Sequence, residues 1–138
     1  MSVSFHSDGV SFILNNKRKL NSWILECISL HNKSCGDINV VFCNDEYLLS
    51  VNNTYLNHDY YTDIITFDYS QKDLISGDLF ISITRVKENA RELNIEFITE
   101  LYRVIVHGVL HLLGYKDKTK LEKEKMRDKE DEMILLMS

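Results

Sequence analysis

The chain has 138 residues, with 16 Lys and Arg against 21 Asp and Glu for a formal charge of -5. That suits one compact domain, residues 1–138, and argues against a protein that grips nucleic acid through a globally basic surface. With 44% hydrophobic and 27% charged residues the composition is that of a soluble globular chain, neither disordered nor membrane-embedded.

Residues 3–14 mix short apolar clusters around Asp8 and Gly9, a hairpin-type dipeptide, and predict two short strands. These first residues hold no apolar signal core, and no uncharged run approaches the roughly 18 apolar residues of a spanning helix. A cytoplasmic location and no membrane partner are therefore expected. Asn15 and Asn16 offer N-cap chemistry for a helix with Leu20, Trp23, Ile24, Cys27 and Ile28 on one face, ending near residues 33–36. Residues 38–43 form a β-branched run suited to a buried strand. Asn44, Asp45 and Glu46 read as the cap and acidic first turn of a second helix reaching about Asn53. Residues 55–62 are polar and aromatic, and residues 63–69 and 79–83 predict two further strands in a hairpin-like pair. From Thr84 the pattern turns helical, first to about Leu93 and then over residues 95–113. The last segment, residues 116–132, holds seven basic and seven acidic residues and predicts a solvated closing helix with a thin stripe of Leu121, Met126 and Met133. The class expected is α+β, a small mixed sheet packed with helices. Proline is absent, so turns must come from Gly, Asn and Asp. Cys27, Cys35 and Cys43 lie eight apart without a C-x-x-C and read as reduced packing residues.

His107 and His111 sit four apart among Val104, Ile105, Val106, Val109, Leu110, Leu112 and Leu113. On a helix that spacing stacks two imidazoles on one face, as two ligands of one tetrahedral zinc require. The apolar surround predicts a buried helix, in which two unpaired imidazoles would each cost about 1–3 kcal/mol; a shared metal satisfies both. Gly114 follows as a left-handed helix stop, and the reversed chain could bring Asp117 back as a third, carboxylate ligand. Two histidines and a carboxylate leave one position for water, the pattern of a catalytic zinc site. His6 and His31 read as surface or turn residues. In the polar cluster of residues 52–63, His58, Asp59, Thr62 and Asp63 could line a cleft, with Tyr55, Tyr60 and Tyr61 placed to stack on bases.

The string His107-Gly-Val-Leu-His-Leu-Leu-Gly-Tyr115 resembles the signature of the YbeY family of bacterial metal-dependent endoribonucleases. Asn52, Tyr55, Asp59, Thr62, Asp63, Phe67, Gly77 and Asp78 are similar to its other motifs in the same order. The resemblance implies one zinc per chain and action on single-stranded ribosomal RNA in small-subunit rRNA maturation and ribosome quality control. It also implies partnership with the ribosome or small-subunit ribosomal proteins, and no DNA substrate. The chain departs from the pattern twice: Asp117 stands where the family places its third histidine, and Leu56 where many members carry an arginine. The expected metal ligands are thus His107, His111 and Asp117, with His58 and Asp63 as candidates for the general base and the leaving-group acid, the two roles not divided between them. Two alternatives remain open: a non-catalytic, metal-stabilised assembly factor, and a zincin-like peptidase, against which Gly108 stands in the place of the water-activating glutamate. For an acidic chain to take RNA it must concentrate its cations, and a local basic cleft from Arg85, Arg91 and Arg103 is expected.

Overall fold

The β-branched runs assemble into one four-stranded sheet. The structure, a computed structural model, describes residues 2–137. Strands β1 (Val3–Ser7), β2 (Ser34–Cys43), β3 (Ile64–Asp68) and β4 (Leu74–Ser82) lie in the order β1-β2-β4-β3. The first three strands in that order run parallel, and β3 pairs antiparallel at one edge. Helices α1 (Lys17–Leu30), α2 (Asp45–Leu56), α3 (Ile83–Leu93), α4 (Phe97–Leu112) and α5 (Lys120–Leu135) complete the expected α+β architecture.

Alternation along the strands divides the core in two. Ile38, Val40 and Phe42 of β2, with Leu79 and Ile81 of β4, are buried in the larger cluster with α1, α4 and Met126 and Met133 of α5. Ile65, flanked by Phe67 and Phe80, packs with Leu48 and Val51 of α2 in a smaller cluster. Helix α4 approaches the sheet at Gly108, where an added Cβ would stand 2.7 Å from Ile64 and 3.0 Å from Leu79. Glycine between the two histidines lets the helix approach the sheet this closely; a Cβ there would oblige the Ile64 and Leu79 side chains to shift.

Three expectations need correction. Residues 3–14 form one strand, not two, because β1 pairs in parallel with β2 and its chain must cross over through α1 instead of folding back. Gly9 does turn the chain at φ 74. Beyond it Phe12 covers the sheet end, 5.0 Å edge-on from Phe42. Asn16 occupies the α1 N-cap, but at φ 63 and without a side-chain hydrogen bond; it serves as a left-handed turn residue. Both β2 and β4 begin four or five residues earlier than their β-branched runs, since residues paired inside a ladder need little propensity of their own. In a chain without proline, Asn16, Asn32, Asn57 and Asn94 take positive φ. Side-chain caps on α2 and α3 come from Asn44 and Ser82. Cys27 and Cys43 are buried, their thiols pushed up to about 12 by desolvation, which fits packing residues.

Candidate metal centre

Helix α4 is apolar on nearly every face, and Leu101, Ile105, Val106, Val109 and Leu110 are fully inaccessible. The histidine stripe faces the one side left open, so His107 and His111 keep 23% and 26% of their side-chain surface. Gly114 at φ 104 ends the helix, with Tyr115 N–H donating to the Leu110 carbonyl at 3.0 Å. The chain reverses, and Asp117 Oδ2 comes to 3.2 Å from His107 Nε2 and 3.3 Å from His111 Nε2. The two Nε2 atoms are 3.0 Å apart. Among the described residues these three form the one group of His, Cys, Asp or Glu side chains that could jointly hold an ion.

The hydrogen bonds behind the rings decide what those atoms offer. His111 Nδ1 lies 3.0 Å from the Tyr115 carbonyl, which can only accept. His107 Nδ1 lies 2.6 Å from the Glu130 carboxylate. Each ring therefore donates through Nδ1, and each Nε2 presents a lone pair. Two lone pairs and a carboxylate oxygen converge with no donor between them, an arrangement that repels itself unless a proton or a cation sits in the middle. Donors at 2.0–2.1 Å from a tetrahedral ion stand about 3.3 Å from one another, close to the spacing found. Burial opposes charge on His107, but the Glu130 hydrogen bond and the Glu130, Asp117 and Asp63 charges outweigh it and raise its pKa. The field that holds a proton there also draws a cation. The donor set fits a divalent metal.

Two cavities flank the triad. One, of about 580 Å³, is lined by His58, Tyr60, Asp63 and Lys118 together with His107, His111 and Asp117. The structure thus brings both candidate acid–base residues to the ligand cluster. His58 is exposed, stacked on Tyr60 and hydrogen-bonded to its hydroxyl through Nδ1 at 3.0 Å. Asp63 accepts from Asn89 at 3.1 Å, and burial pushes its carboxyl up while the His107 charge opposes. Leu56 lines this cavity as well, leaving Lys118 as its one Lys or Arg wall residue among the described residues. The second cavity, about 370 Å³, lies between α4 and α5 and shares Asp63, Ile64, His107 and Asp117 with the first.

The expected cleft of Arg85, Arg91 and Arg103 does not form. Arg85 is held by Asp45 at 2.7 Å, Arg91 by Glu88 at 3.1 Å, and Arg103 by Glu130 at 2.9 Å and Asp131 at 2.7 Å. Sequence patterning also missed Glu130, which is 4% exposed and links His107 to Arg103. Its signal was an acid at the helical repeat between Met126 and Met133, inside the apolar stripe of a supposedly solvated helix, whereas Leu121 is 60% exposed. His31 caps α1 as a turn residue, but its ring also bridges the Cys27 carbonyl at 2.7 Å and the Tyr115 hydroxyl at 2.9 Å. It thereby pins the turn that presents its carbonyl to His111.

Glu100 is 6% exposed, and its Oε1 has no hydrogen-bond partner. Burial raises its pKa, the Asp63 charge adds to the effect, and Arg103 opposes it. An acid whose folded pKa is raised stabilises fully below its unfolded value and loses that contribution as pH climbs through the folded one. Glu100→Gln is therefore expected to raise the thermal midpoint at pH 7, with the gain vanishing near pH 4. Melting curves at the two pH values test this.

A sheet backed by a buried helix, with two imidazoles and a returning carboxylate at the mouth of a cleft, defines a protein whose donor set fits a divalent cation beside an open groove. The chain belongs to the Endoribonuclease YbeY family, whose model matches residues 5–137. It is 45% identical over 135 residues to the Endoribonuclease YbeY of Porphyromonas gingivalis, covering 98% of this chain and 89% of that one. It is 49% identical over 125 residues to that of Flavobacterium johnsoniae, covering 91% and 90%. A solution structure of a Thermotoga maritima protein superimposes with a TM-score of 0.64 at 25% identity, over 95% of this chain and 88% of the other.

Proposed function

We propose that the protein is a zinc-dependent endoribonuclease specific for single strands, acting in the cytoplasm on small-subunit ribosomal RNA during its maturation and quality control. The observation that carries the reading is the convergence of two Nε2 lone pairs and the Asp117 carboxylate beside an open cleft; family membership supports RNA as substrate. His107, His111 and Asp117 hold the metal. A zinc ion so bound supplies a Lewis acid and an activated water at neutral pH. Asp63, its carboxyl pushed up by burial, is placed between the cavities to take or return a proton through its carboxylate. With both ring nitrogens protonated, His58 donates through Nδ1 to the Tyr60 hydroxyl oxygen and can give its Nε2 proton to a leaving oxygen, returning to the neutral ring. The exposed rings of Tyr55, Tyr60 and Tyr61 offer faces for unstacked bases, consistent with a preference for single strands.

The experiment is cleavage of single-stranded rRNA fragments with and without chelator, with metal content measured in parallel. Chelation should abolish cleavage and zinc restore it; cleavage indifferent to chelator sinks the reading. Leu56 favours a second reading, a metal-stabilised assembly factor that does not cut, because leucine cannot clamp a phosphate. Metal-loaded protein that binds pre-ribosomal particles and leaves RNA intact under every divalent metal would establish it. A peptidase is disfavoured, because Gly108 offers no carboxylate in the place of the water-activating glutamate.

A further inference from the structure

The first cavity leaves an acidic centre short of cations; of the arginines expected to help, Arg85 and Arg91 line neither cavity, and Arg103 lines the second one already paired with Glu130 and Asp131. The second cavity is different. Lys123 and Arg127, one turn apart on α5, both line it beside Asp117 and His107. Lys123 makes no ion pair or side-chain hydrogen bond among the described residues. Arg127 is 60% exposed and only loosely placed, 3.7 Å from Glu130. Val104 and Met126 give the cavity apolar walls, and the carboxylate of Glu100, nine-tenths buried with an unpartnered Oε1, lines it too. Two turns of α4 separate Glu100 from His107, about 10 Å at 1.5 Å per residue. That span is comparable with the reach from a phosphate to the Watson–Crick edge of its own base.

We propose that the cavity between α4 and α5 is a nucleotide subsite of the RNA-cleaving centre, in which Lys123 and Arg127 hold a phosphate and the Glu100 carboxylate accepts an N–H from the base. The proposal rests on the endoribonuclease reading and supplies, from the closing helix, the phosphate-binding charge that Leu56 cannot. The floor chemistry selects the base. Guanine presents N1–H and an amino group side by side to a carboxylate, whereas the single N–H of uracil is flanked by two carbonyl oxygens that a carboxylate repels. Guanine is therefore the preferred occupant. Because the triad lies between the two cavities, a strand bound in both places its connecting phosphate at the metal ligands.

Binding and cleavage are tested separately. Binding of labelled (UG)5 and U10 RNA decamers is followed by fluorescence anisotropy in EDTA across a range of salt, so that no cutting occurs. The full-length protein should bind (UG)5 several-fold more tightly. Lys123→Ala/Arg127→Ala should weaken binding of both decamers and lower the slope of log K against log salt by about 0.7, the counterions of one single-strand phosphate contact. Glu100→Gln should erase the guanine preference while leaving that slope intact. With metal restored, the double variant should show a raised KM, a kcat within twofold of wild type and unchanged metal content. A double variant with wild-type slope and KM overturns the phosphate site, and a preference that survives Glu100→Gln overturns the base contact. If the slope and preference change as stated but wild-type protein never cuts RNA, the subsite stands and the nuclease reading falls. If wild-type protein cuts in a metal-dependent way and neither variant differs from it, the nuclease reading stands and the subsite falls.

Discussion

His111→Ala is expected to abolish metal retention and lower RNA cleavage on the order of 10³-fold or more, while leaving the metal-free fold intact. The ring lies at the open face of α4 with 26% of its side chain exposed, and alanine is the best helix former. Its removal also relieves the mutual repulsion of two Nε2 lone pairs 3.0 Å apart, so the variant without metal should melt no lower than wild-type protein without metal. The difference appears on adding metal. A ligand at 100 times its Kd stabilises by about 2.7 kcal/mol, and wild-type protein should gain a shift of that order. His111→Ala should gain almost none. Melting curves with and without zinc, together with elemental analysis, separate a lost ligand from a lost fold. Full metal occupancy in the variant would remove His111 from the centre.

Glu130→Gln should weaken metal binding about 10- to 100-fold without deleting any group that touches the metal. Glu130 accepts from His107 at 2.6 Å through one oxygen and from Arg103 at 2.9 Å through the other. Both neighbours are donors, and a carboxamide has only one oxygen. With that oxygen on His107, the amide faces the Arg103 guanidinium, donor against donor. With it on Arg103, the amide faces His107 Nδ1, the ring changes tautomer, and the hydrogen moves to Nε2, where the lone pair is needed. Glu130→Ala adds a stability cost of about 3 kcal/mol, the low end for a broken buried pair, because Asp131 still holds Arg103 at 2.7 Å. Competition titrations with a chromophoric chelator measure the first effect and urea unfolding the second. Wild-type metal affinity in Glu130→Gln would reduce the residue to a packing role.

Both results turn on how differently the two ends of this site read in the sequence. The four-residue interval of His107 and His111, the apolar residues around them, Gly114 and the return to Asp117 are all local. Helix pitch and one left-handed turn carry them from spacing to geometry. The same holds for the hairpin of β3 and β4 and for the asparagine-based turns. It fails at residues 3–14, where a turn signal was present but a parallel partner claimed the strand, and at the basic cleft, where charge could be counted but not assigned. Arg85, Arg91 and Arg103 look alike as letters; only packing shows that each already faces an acid.

The α+β class, the helix that carries the candidate ligands and the family were legible in the chain alone, because periodicity, capping and motif spacing act over a few covalent bonds. The tertiary structure alone decided the pairing of Glu130 with His107, 23 residues away, and of His31 with Tyr115, 84 away. It also decided which cations face the cavity beside the triad. Those contacts follow from α5 burying Met126 and Met133 against the core, which sets the rotation of the helix. One acid thereby points inward at a histidine, while Lys123 and Arg127 are left facing the cavity.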